Sequence, residues 1–110
     1  QFKPHLAPIK AAVLPLKRNN ENIVSKARDI KQQLSRLGLG RIVYEDTGNI
    51  GKGYRRHDEA GTPFCITIDF QTIEQDGSVT IRNRDTMKQE RFSEEGLADF
   101  MLKHISSPSE

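Results

Sequence analysis

Apolar and polar residues in the first half of the chain predict a β-strand, a helix and a second β-strand. Residues 11–16 (AAVLPL) carry apolar side chains at both odd and even positions, which is typical of a strand buried on both faces. The next apolar residues are spaced alternately four and three apart: Ile23, Ala27, Ile30, Leu34 and Leu37. This spacing predicts a helix with one buried stripe, ended by Gly38 and Gly40. Residues 41–45 (RIVYE) are mostly β-branched or aromatic and predict the second strand.

A short helix and a third strand are predicted next. The helix covers residues 52–60, because Gly61 and then Pro63 stop it. Residues 64–70 (FCITIDF) form another nearly continuous apolar run, which predicts a strand. Within that run we interpret Cys65 as a small buried side chain, the alternative being a nucleophile.

A hairpin and a last helix complete the predicted elements. Asp76-Gly77 is a hairpin turn signal, and it leads into the alternating strand 78–84 (SVTIRNR). Residues 87–92 predict a further short strand, after which Ser93 caps the last helix. The apolar stripe of that helix consists of Leu97, Phe100, Met101 and Ile105.

This order of elements predicts an α/β fold, with a mixed, mainly parallel sheet and helices on both faces. In such sheets ligands gather at the carboxyl ends of the strands. Those ends carry residues 46–52 and 69–72 in this chain. We therefore expect the binding chemistry at this edge of the sheet.

Composition excludes several classes of site. The 110 residues amount to one domain, and no apolar run approaches the roughly 20 residues of a membrane span. The one cysteine, Cys65, excludes an internal disulfide and a Cys-based structural zinc site. The histidines lack ligand spacing, and no Ser/His/Asp or Cys/His arrangement stands out. We therefore assign no catalytic, cofactor-binding or metal-binding residue.

Charge is divided unevenly along the chain. Residues 1–56 carry 12 basic and 4 acidic side chains, a net of +8, whereas residues 57–110 carry 5 and 11, a net of −6. A basic half attracts polyanions through its field and through counterion release. A solvated surface with chance asymmetry is the alternative explanation.

The charges of the second predicted helix oppose its dipole. Its first turn holds three cations, Lys52, Arg55 and Arg56. Asp58 and Glu59 lie near its end, and each such placement costs a few tenths to ~1 kcal/mol. A broken local rule points to function, so contact with an anion is one explanation. Pairing with carboxylates elsewhere is the other.

Three further features have a functional and a structural interpretation. The glycine-rich loop 48–53 (GNIGKG) suits either a phosphate cradle or a tight turn, although it lacks P-loop spacing. Arg82 and Arg84 project from one strand face, with Lys88 and Arg91 nearby, and suit either RNA contact or cross-strand pairing. For the pairing, the candidate carboxylates are Asp69, Asp85 and Glu90. Phe70, at a strand end, suits either base stacking or core filling.

Two segments closely resemble the C-terminal anticodon-binding domain of dimeric-type, class IIa glycyl-tRNA synthetases. They are residues 46–70 (DTGNIGKGYRRHDEAGTPFCITIDF) and 79–89 (VTIRNRDTMKQ). Residues 6–16 also look like the entry and first strand of that domain, and the resemblance extends over about residues 6–92. Threonyl-, prolyl- and histidyl-tRNA synthetases share the domain type but not the run 54–65 (YRRHDEAGTPFC).

The resemblance implies a three-layer fold, a five-stranded mixed sheet flanked by three helices. It divides the chain into a linker (1–10), the anticodon-binding domain (11–105) and a flexible tail (106–110). It also implies a parent enzyme that activates glycine with ATP and esterifies tRNA-Gly, with its ATP, magnesium and glycine sites before Gln1. We expect this parent to be a cytoplasmic homodimer without a membrane partner. No cofactor is expected in the domain itself.

The resemblance also supplies six tRNA-binding candidates: Lys52, Arg55, Asp69, Phe70, Arg82 and Arg84. Glycine anticodons contain two cytosines, which offer an amino donor, ring acceptors and a face for stacking. Phe70 would stack on a base, Asp69 would accept from an amino group, and Lys52 would contact base or phosphate. Arg82 and Arg84 match the Arg-x-Arg of the family.

Two positions depart from the family, and two neighbours are expected to shape the site. Lys52 replaces the usual Arg, and Gly53 stands where a second basic residue is common, so weaker or water-mediated contacts are expected there. Tyr54 is expected to shape the site instead of touching RNA, and for Arg55 this is the alternative to direct RNA contact.

Two alternatives belong to other functional classes. Accessory subunits of mitochondrial DNA polymerase use the same domain type for protein contact, and an exposed apolar face would favour that function. A small phosphate-binding enzyme using residues 48–53 would need a deep pocket with a perturbed titratable group.

Overall fold

Five strands and four helices form within residues 8–104, the part of the chain that this computed structural model describes. The strands are β1 (Ile9–Pro15), β2 (Arg41–Tyr44), β3 (Phe64–Ile68), β4 (Val79–Asn83) and β5 (Gln89–Phe92). The helices are α1 (Glu21–Arg36), α2 (Ile50–Ala60), α3 (Phe70–Glu74) and α4 (Glu94–His104). None of these helices has the length and apolar character that crossing a bilayer requires.

The strands form one sheet in the order β2-β1-β3-β4-β5. β1 pairs in parallel with β2 and β3, whereas β3–β4 and β4–β5 are antiparallel. The predicted α/β fold with a five-stranded mixed sheet is confirmed, as is the parallel β1-α1-β2 unit. The prediction is wrong in two details. Half of the strand pairs are antiparallel, so the sheet is not mainly parallel, and residues 8–104 form four helices instead of three.

One face of the sheet packs against α1, α3 and α4. The side chain of Asn20 caps α1 by accepting the N–H of Ile23 at 3.1 Å. Four of the five residues in the predicted stripe are buried: Ile23, Ala27, Ile30 and Leu34. They share one core with Ile66 and Ile81 of the sheet and with Leu97 of α4. Helical spacing in the sequence therefore identified this layer correctly.

The opposite face is covered by α2, which makes the fold three-layered. Ala12, Leu14 and Cys65 of the sheet form a second apolar cluster, against which Ile50 and Tyr54 of α2 pack. Cys65 is 2% exposed, and burial raises the pKa of its thiol to about 12. A thiol that stays protonated is not a nucleophile, so the structural interpretation of Cys65 holds.

An ion pair fastens the end of α2 to the sheet. Arg82 of β4 donates two hydrogen bonds to the Asp58 carboxylate, at 2.8 and 3.1 Å. Its guanidinium also lies over the Tyr54 ring, 4.7 Å from the centroid. The cross-strand partners expected for Arg82 were therefore wrong. Its side chain lies on the face that α2 covers, so it meets a carboxylate of that helix.

A second polar contact joins α2 to the end of β2. The buried His57 ring places Nε2 2.5 Å from Oε1 of Glu45 and Nδ1 2.8 Å from the hydroxyl of Thr62. Arg56 adds an ion pair, with Nε 2.9 Å from Oε2 of the same Glu45. Glu45 therefore holds two side chains of α2 and helps to fix the direction of this helix.

The short helix α3 replaces the end of the predicted third strand. Asp69 caps this helix through a reciprocal pair of hydrogen bonds with Thr72. Because this cap turns the chain, Phe70 begins α3 and does not end a strand. Asp76-Gly77 then follows a helix instead of closing a two-residue hairpin, although Gly77 does have the positive φ of a turn (75°).

The predicted boundaries of the domain are only partly within the described residues. Ile9 and Lys10, assigned to the linker, lie in β1. The rest of that linker up to residue 7, the predicted end of the domain at residue 105 and the predicted tail 106–110 lie outside the described residues.

We expect Asp58→Asn to lower the free energy of unfolding by on the order of 2 kcal/mol at neutral pH, because it leaves the nearly buried Arg82 without a counter-charge. The hydrogen bonds from Arg82 lower the pKa of Asp58 below its usual 3.8 in the folded chain. The stabilisation is therefore present above pH 3.8 and is lost as the pH falls through the lowered pKa. Urea unfolding of both proteins across this range measures it.

Asp85→Asn is the matched control. Asp85 also pairs with an arginine, at 3.3 Å from Arg84, but its side chain is 77% exposed. We expect this variant to change the unfolding free energy by less than about 0.5 kcal/mol. A difference between Asp58→Asn and the unmodified chain that persists unchanged at the lowest pH would contradict the ion-pair explanation.

Candidate nucleic-acid interface

The carboxyl ends of β1, β2 and β3 lie at one edge of the sheet, called here the carboxyl edge and formed by Leu16, residues 45–49 and residues 69–70. Parallel pairing brings these ends together: Leu16 donates its N–H to the carbonyl of Ile68 at 2.9 Å, and Glu45 donates to that of Val13 at 3.0 Å. Both α2 and α3 begin at this edge. The edge at which we expected ligand binding is therefore formed by the ends of three adjacent strands and the starts of two helices.

Two cations of α2 remain exposed near the carboxyl edge. Asn49 caps the helix by accepting the N–H of Lys52 at 2.9 Å. The side chains of Lys52 and Arg55 are exposed, and within residues 8–104 neither forms an ion pair with a carboxylate. Arg56 and Asp58, in contrast, are paired with other elements. The charge order that opposes the helix dipole therefore has a structural explanation for those two residues, while Lys52 and Arg55 can meet an anion.

Phe70 is the exposed aromatic residue of this edge. It is the first residue of α3 and is 39% exposed, so it does not fill the core. A partly exposed aromatic side chain at a helix start can receive a stacked base. The geometry thus favours the stacking interpretation of Phe70 over core filling.

Asp69 lies beside Phe70, but its carboxylate is already engaged. Its two oxygens accept from the Arg91 guanidinium at 2.6 and 3.0 Å, and Oδ1 also accepts the N–H of Thr72. Burial would raise the pKa of Asp69, but the hydrogen bonds from Arg91 and Thr72 outweigh burial and lower it. The predicted contact between Asp69 and a base would use what acceptor capacity remains on Oδ2.

Arg82 and Arg84 do not join this group. β4 runs antiparallel to β3, with Asn83 opposite Phe64, so Arg84 lies near the start of β3. The length of β3 separates it from Asp69 by roughly 15 Å. Arg84 is exposed, whereas Arg82 is 8% exposed and held by Asp58. Arg82 and Arg84 are therefore not part of the carboxyl edge, and the arginine that does reach it is Arg91 of β5.

The glycine-rich loop has the structure of a tight turn. The N–H groups of Gly48, Lys52 and Gly53 bond to oxygens of residues 46–49, and so do not converge on an anion. A Cβ added at Gly53 would lie 3.1 Å from Oγ1 of Thr47 and 3.3 Å from Leu14. Position 53 thus lies close to the sheet, and the phosphate-cradle interpretation of this loop loses these three N–H donors. Within residues 8–104 no cluster of His, Cys, Asp or Glu is arranged to hold a metal ion.

Comparison with known proteins identifies the family of the chain. The family model of the anticodon binding domain matches residues 10–104. The chain is 53% identical over 109 residues to a glycine–tRNA ligase of Deinococcus radiodurans, an alignment that covers 92% of the chain and 22% of that protein. It is 51% identical over 113 residues to one of Thermus thermophilus, covering 96% of the chain and 22% of that protein. The chain thus spans only about a fifth of the length of these curated relatives.

The match covers all five strands and four helices described above, with the run 54–65 at its centre. Both faces of the sheet, the carboxyl edge and the exposed side chains on it therefore lie inside the matched region. The chain belongs to the anticodon-binding domain family, and its sequence is similar to the corresponding fifth of bacterial glycine–tRNA ligases.

Proposed function

We propose that this chain is the anticodon-binding domain of a glycine–tRNA ligase and that it binds the anticodon arm of tRNA-Gly through the carboxyl edge. The observation that carries the proposal is the exposed Phe70 side chain at the same edge of the sheet as the exposed cations Lys52 and Arg55, in a chain of this family. The ring suits a splayed base, and the cations suit the phosphates that flank it. The relatives that match are glycine–tRNA ligases, which supports the glycine tRNA as the ligand.

Base reading also needs donors and acceptors. A cytosine presents an amino group and the acceptors O2 and N3, so an arginine fork and a carboxylate or carbonyl oxygen complement it. Arg55 supplies a fork at the carboxyl edge, and the side chain of Arg84 supplies another at the far end of β4. Because these two lie apart, we propose that Arg55 serves the base that stacks on Phe70, and that Arg84 contacts a different part of the arm.

The ligation reaction belongs to the parent enzyme. We propose that a catalytic domain elsewhere in that enzyme binds ATP, magnesium and glycine, and that the parent works as a homodimer in the cytoplasm. The support for these points is the similarity to glycine–tRNA ligases, of which this chain covers 22%. This chain contributes tRNA binding, for which it needs no cofactor.

An exposed apolar face would favour the protein-contact alternative. The large apolar side chains that are exposed within residues 8–104 are Phe70, Met87 and Leu102. They lie in α3, in the turn between β4 and β5, and in α4, so they belong to three separate elements. The surface therefore gives no support to the accessory-subunit alternative, and the relatives that match support the tRNA-binding interpretation.

We expect Phe70→Ala to weaken binding of a glycine anticodon stem-loop by about 1–3 kcal/mol, the usual contribution of one aromatic–base stack. Fluorescence anisotropy titration of a labelled hairpin at fixed salt measures this change. Leu102→Ala, which also removes an exposed apolar side chain, is the control and should bind like the unmodified chain. Equal affinities for the Phe70→Ala variant and the control would remove stacking from the proposal.

We expect Lys52→Gln to weaken binding to hairpins of any loop sequence by a similar factor, because a lysine ammonium neutralises phosphate without reading bases. The slope of log K against log salt should become shallower by nearly one. Titrations at four salt concentrations give this slope. Lys103→Gln, on exposed α4, provides the control for charge alone. An identical change of slope in both variants would show that Lys52 has no specific role.

A further inference from the structure

Every N–H of the Arg91 guanidinium is committed to an acceptor within the protein. Nε donates to the hydroxyl oxygen of Ser78 at 2.7 Å. Nη1 donates to Oδ2 of Asp69 at 3.0 Å and to the hydroxyl of Thr80 at 2.9 Å, and Nη2 donates to Oδ1 of Asp69 at 2.6 Å and to the carbonyl of Ser78 at 3.2 Å. A guanidinium carries five such donors, so none is left for an external ligand.

These bonds connect β5 to the start of α3. Arg91 lies opposite Thr80 in the sheet, yet it reaches Asp69, which is 22 residues earlier in the chain. Asp69 is at the same time the cap of α3, since its side chain accepts the N–H of Thr72. The hydroxyl of Thr72 lies 2.7 Å from the Ser78 carbonyl, which the same guanidinium contacts. One side chain of β5 therefore holds both ends of the connection between β3 and β4.

α3 depends on these contacts for its position. It has five residues, and helices this short do not form in isolation. Its apolar anchor is Ile73, which packs on the core only in part. The backbone of Phe70 follows Asp69 directly, so the direction of its ring is set by the cap and by whatever holds the cap.

We infer that Arg91 is a positioning residue for RNA binding: through Asp69 it fixes the start of α3 and thereby the exposed Phe70 ring. This inference rests on the proposed function and deepens it. Arg91 acts through the ring, in contrast to Lys52 and Arg55, whose charges are exposed to a ligand directly. The fork geometry, not the charge alone, is what performs this role, because one ammonium group cannot replace five donors arranged in a plane.

The test compares Arg91→Lys and Arg91→Gln in the 110-residue chain, with a glycine anticodon stem-loop as the probe. We expect both variants to lose about 3- to 30-fold in affinity, with the salt slope of Arg91→Lys unchanged. In a Phe70→Ala background, Arg91→Lys should cause less than a twofold further loss, because the ring that it positions is gone. Lys88→Gln, an exposed change in the same hairpin, is the control and should bind normally.

A second measurement needs no RNA. The Thr72 amide donates to Asp69, so Arg91→Lys should increase its hydrogen-exchange rate about tenfold or more, while amides of α1 stay unchanged. Asp69→Asn keeps a good capping residue but loses the ion pair, and it should reproduce the faster Thr72 exchange of Arg91→Lys. Unchanged exchange in the core of each variant establishes that it is folded.

Three results would overturn the inference. The first is normal affinity in Arg91→Lys with a loss and a shallower salt slope in Arg91→Gln, which would make Arg91 a phosphate contact. The second is an equal loss from Arg91→Lys with and without Phe70. The third is unchanged exchange at Thr72. If instead the unmodified chain ignores the hairpin but Thr72 exchange rises, the proposed function fails, while the control of α3 by Arg91 stands.

Discussion

The packing of α2 against β1 and β3 decides where the charges of this domain lie. Ala12 and Leu14 form part of the apolar surface on which the helix packs. Gly53 has no side chain, so the helix backbone can approach that surface closely. Once α2 is seated, Arg56, His57 and Asp58 fall opposite partners in the sheet and in the end of β2. Lys52 and Arg55 remain on the solvent side. A separation into structural and exposed charges therefore follows from one helix–sheet contact.

This separation gives the two groups of cations different physical roles. Arg82 and Arg91 are planar forks with paired carboxylates, and each ties together elements that are far apart in the chain. Their value lies in geometry, since partly desolvated ion pairs contribute modestly to stability but define position well. Lys52 and Arg55 have no such partner within residues 8–104 and keep their charge for a polyanion. In the basic first half of the sequence, Arg56 is likewise paired with a carboxylate, whereas Lys52 and Arg55 are exposed.

The layers of the fold were predictable because they depend on local periodicity. Burial can be predicted from the pattern within each element. This holds for the apolar stripe from Ile23 to Leu34 and for the continuous apolar runs of β1 and β3. α3 was missed because the apolar run FCITIDF hides the capping role of Asp69, which needs only Thr72 as its partner. The capping partner is only three residues away, so this helix start was within reach of a local sequence pattern.

The ion-pair partners were not predictable in the same way. Arg82 and Asp58 are 24 residues apart, and Arg91 and Asp69 are 22 apart, so both pairings depend on sheet register and on the placement of α2. The resemblance to a known family identified the carboxyl-edge residues Lys52, Arg55, Asp69 and Phe70. It also supplied Arg82 and Arg84 as tRNA-binding candidates, and their location away from this edge follows from the antiparallel pairing of β4 with β3, which the sequence motif does not specify.

The central claim is that this domain recognises the cytosines of a glycine anticodon. The most direct test is a titration of the 110-residue chain with a glycine anticodon stem-loop and with the same hairpin in which CC is changed to GG, at one moderate salt concentration. The account predicts tighter binding to the CC hairpin by about 1–3 kcal/mol for each base that is read. Equal, salt-sensitive affinity for the two hairpins would contradict it and would reduce the interaction to phosphate contact alone.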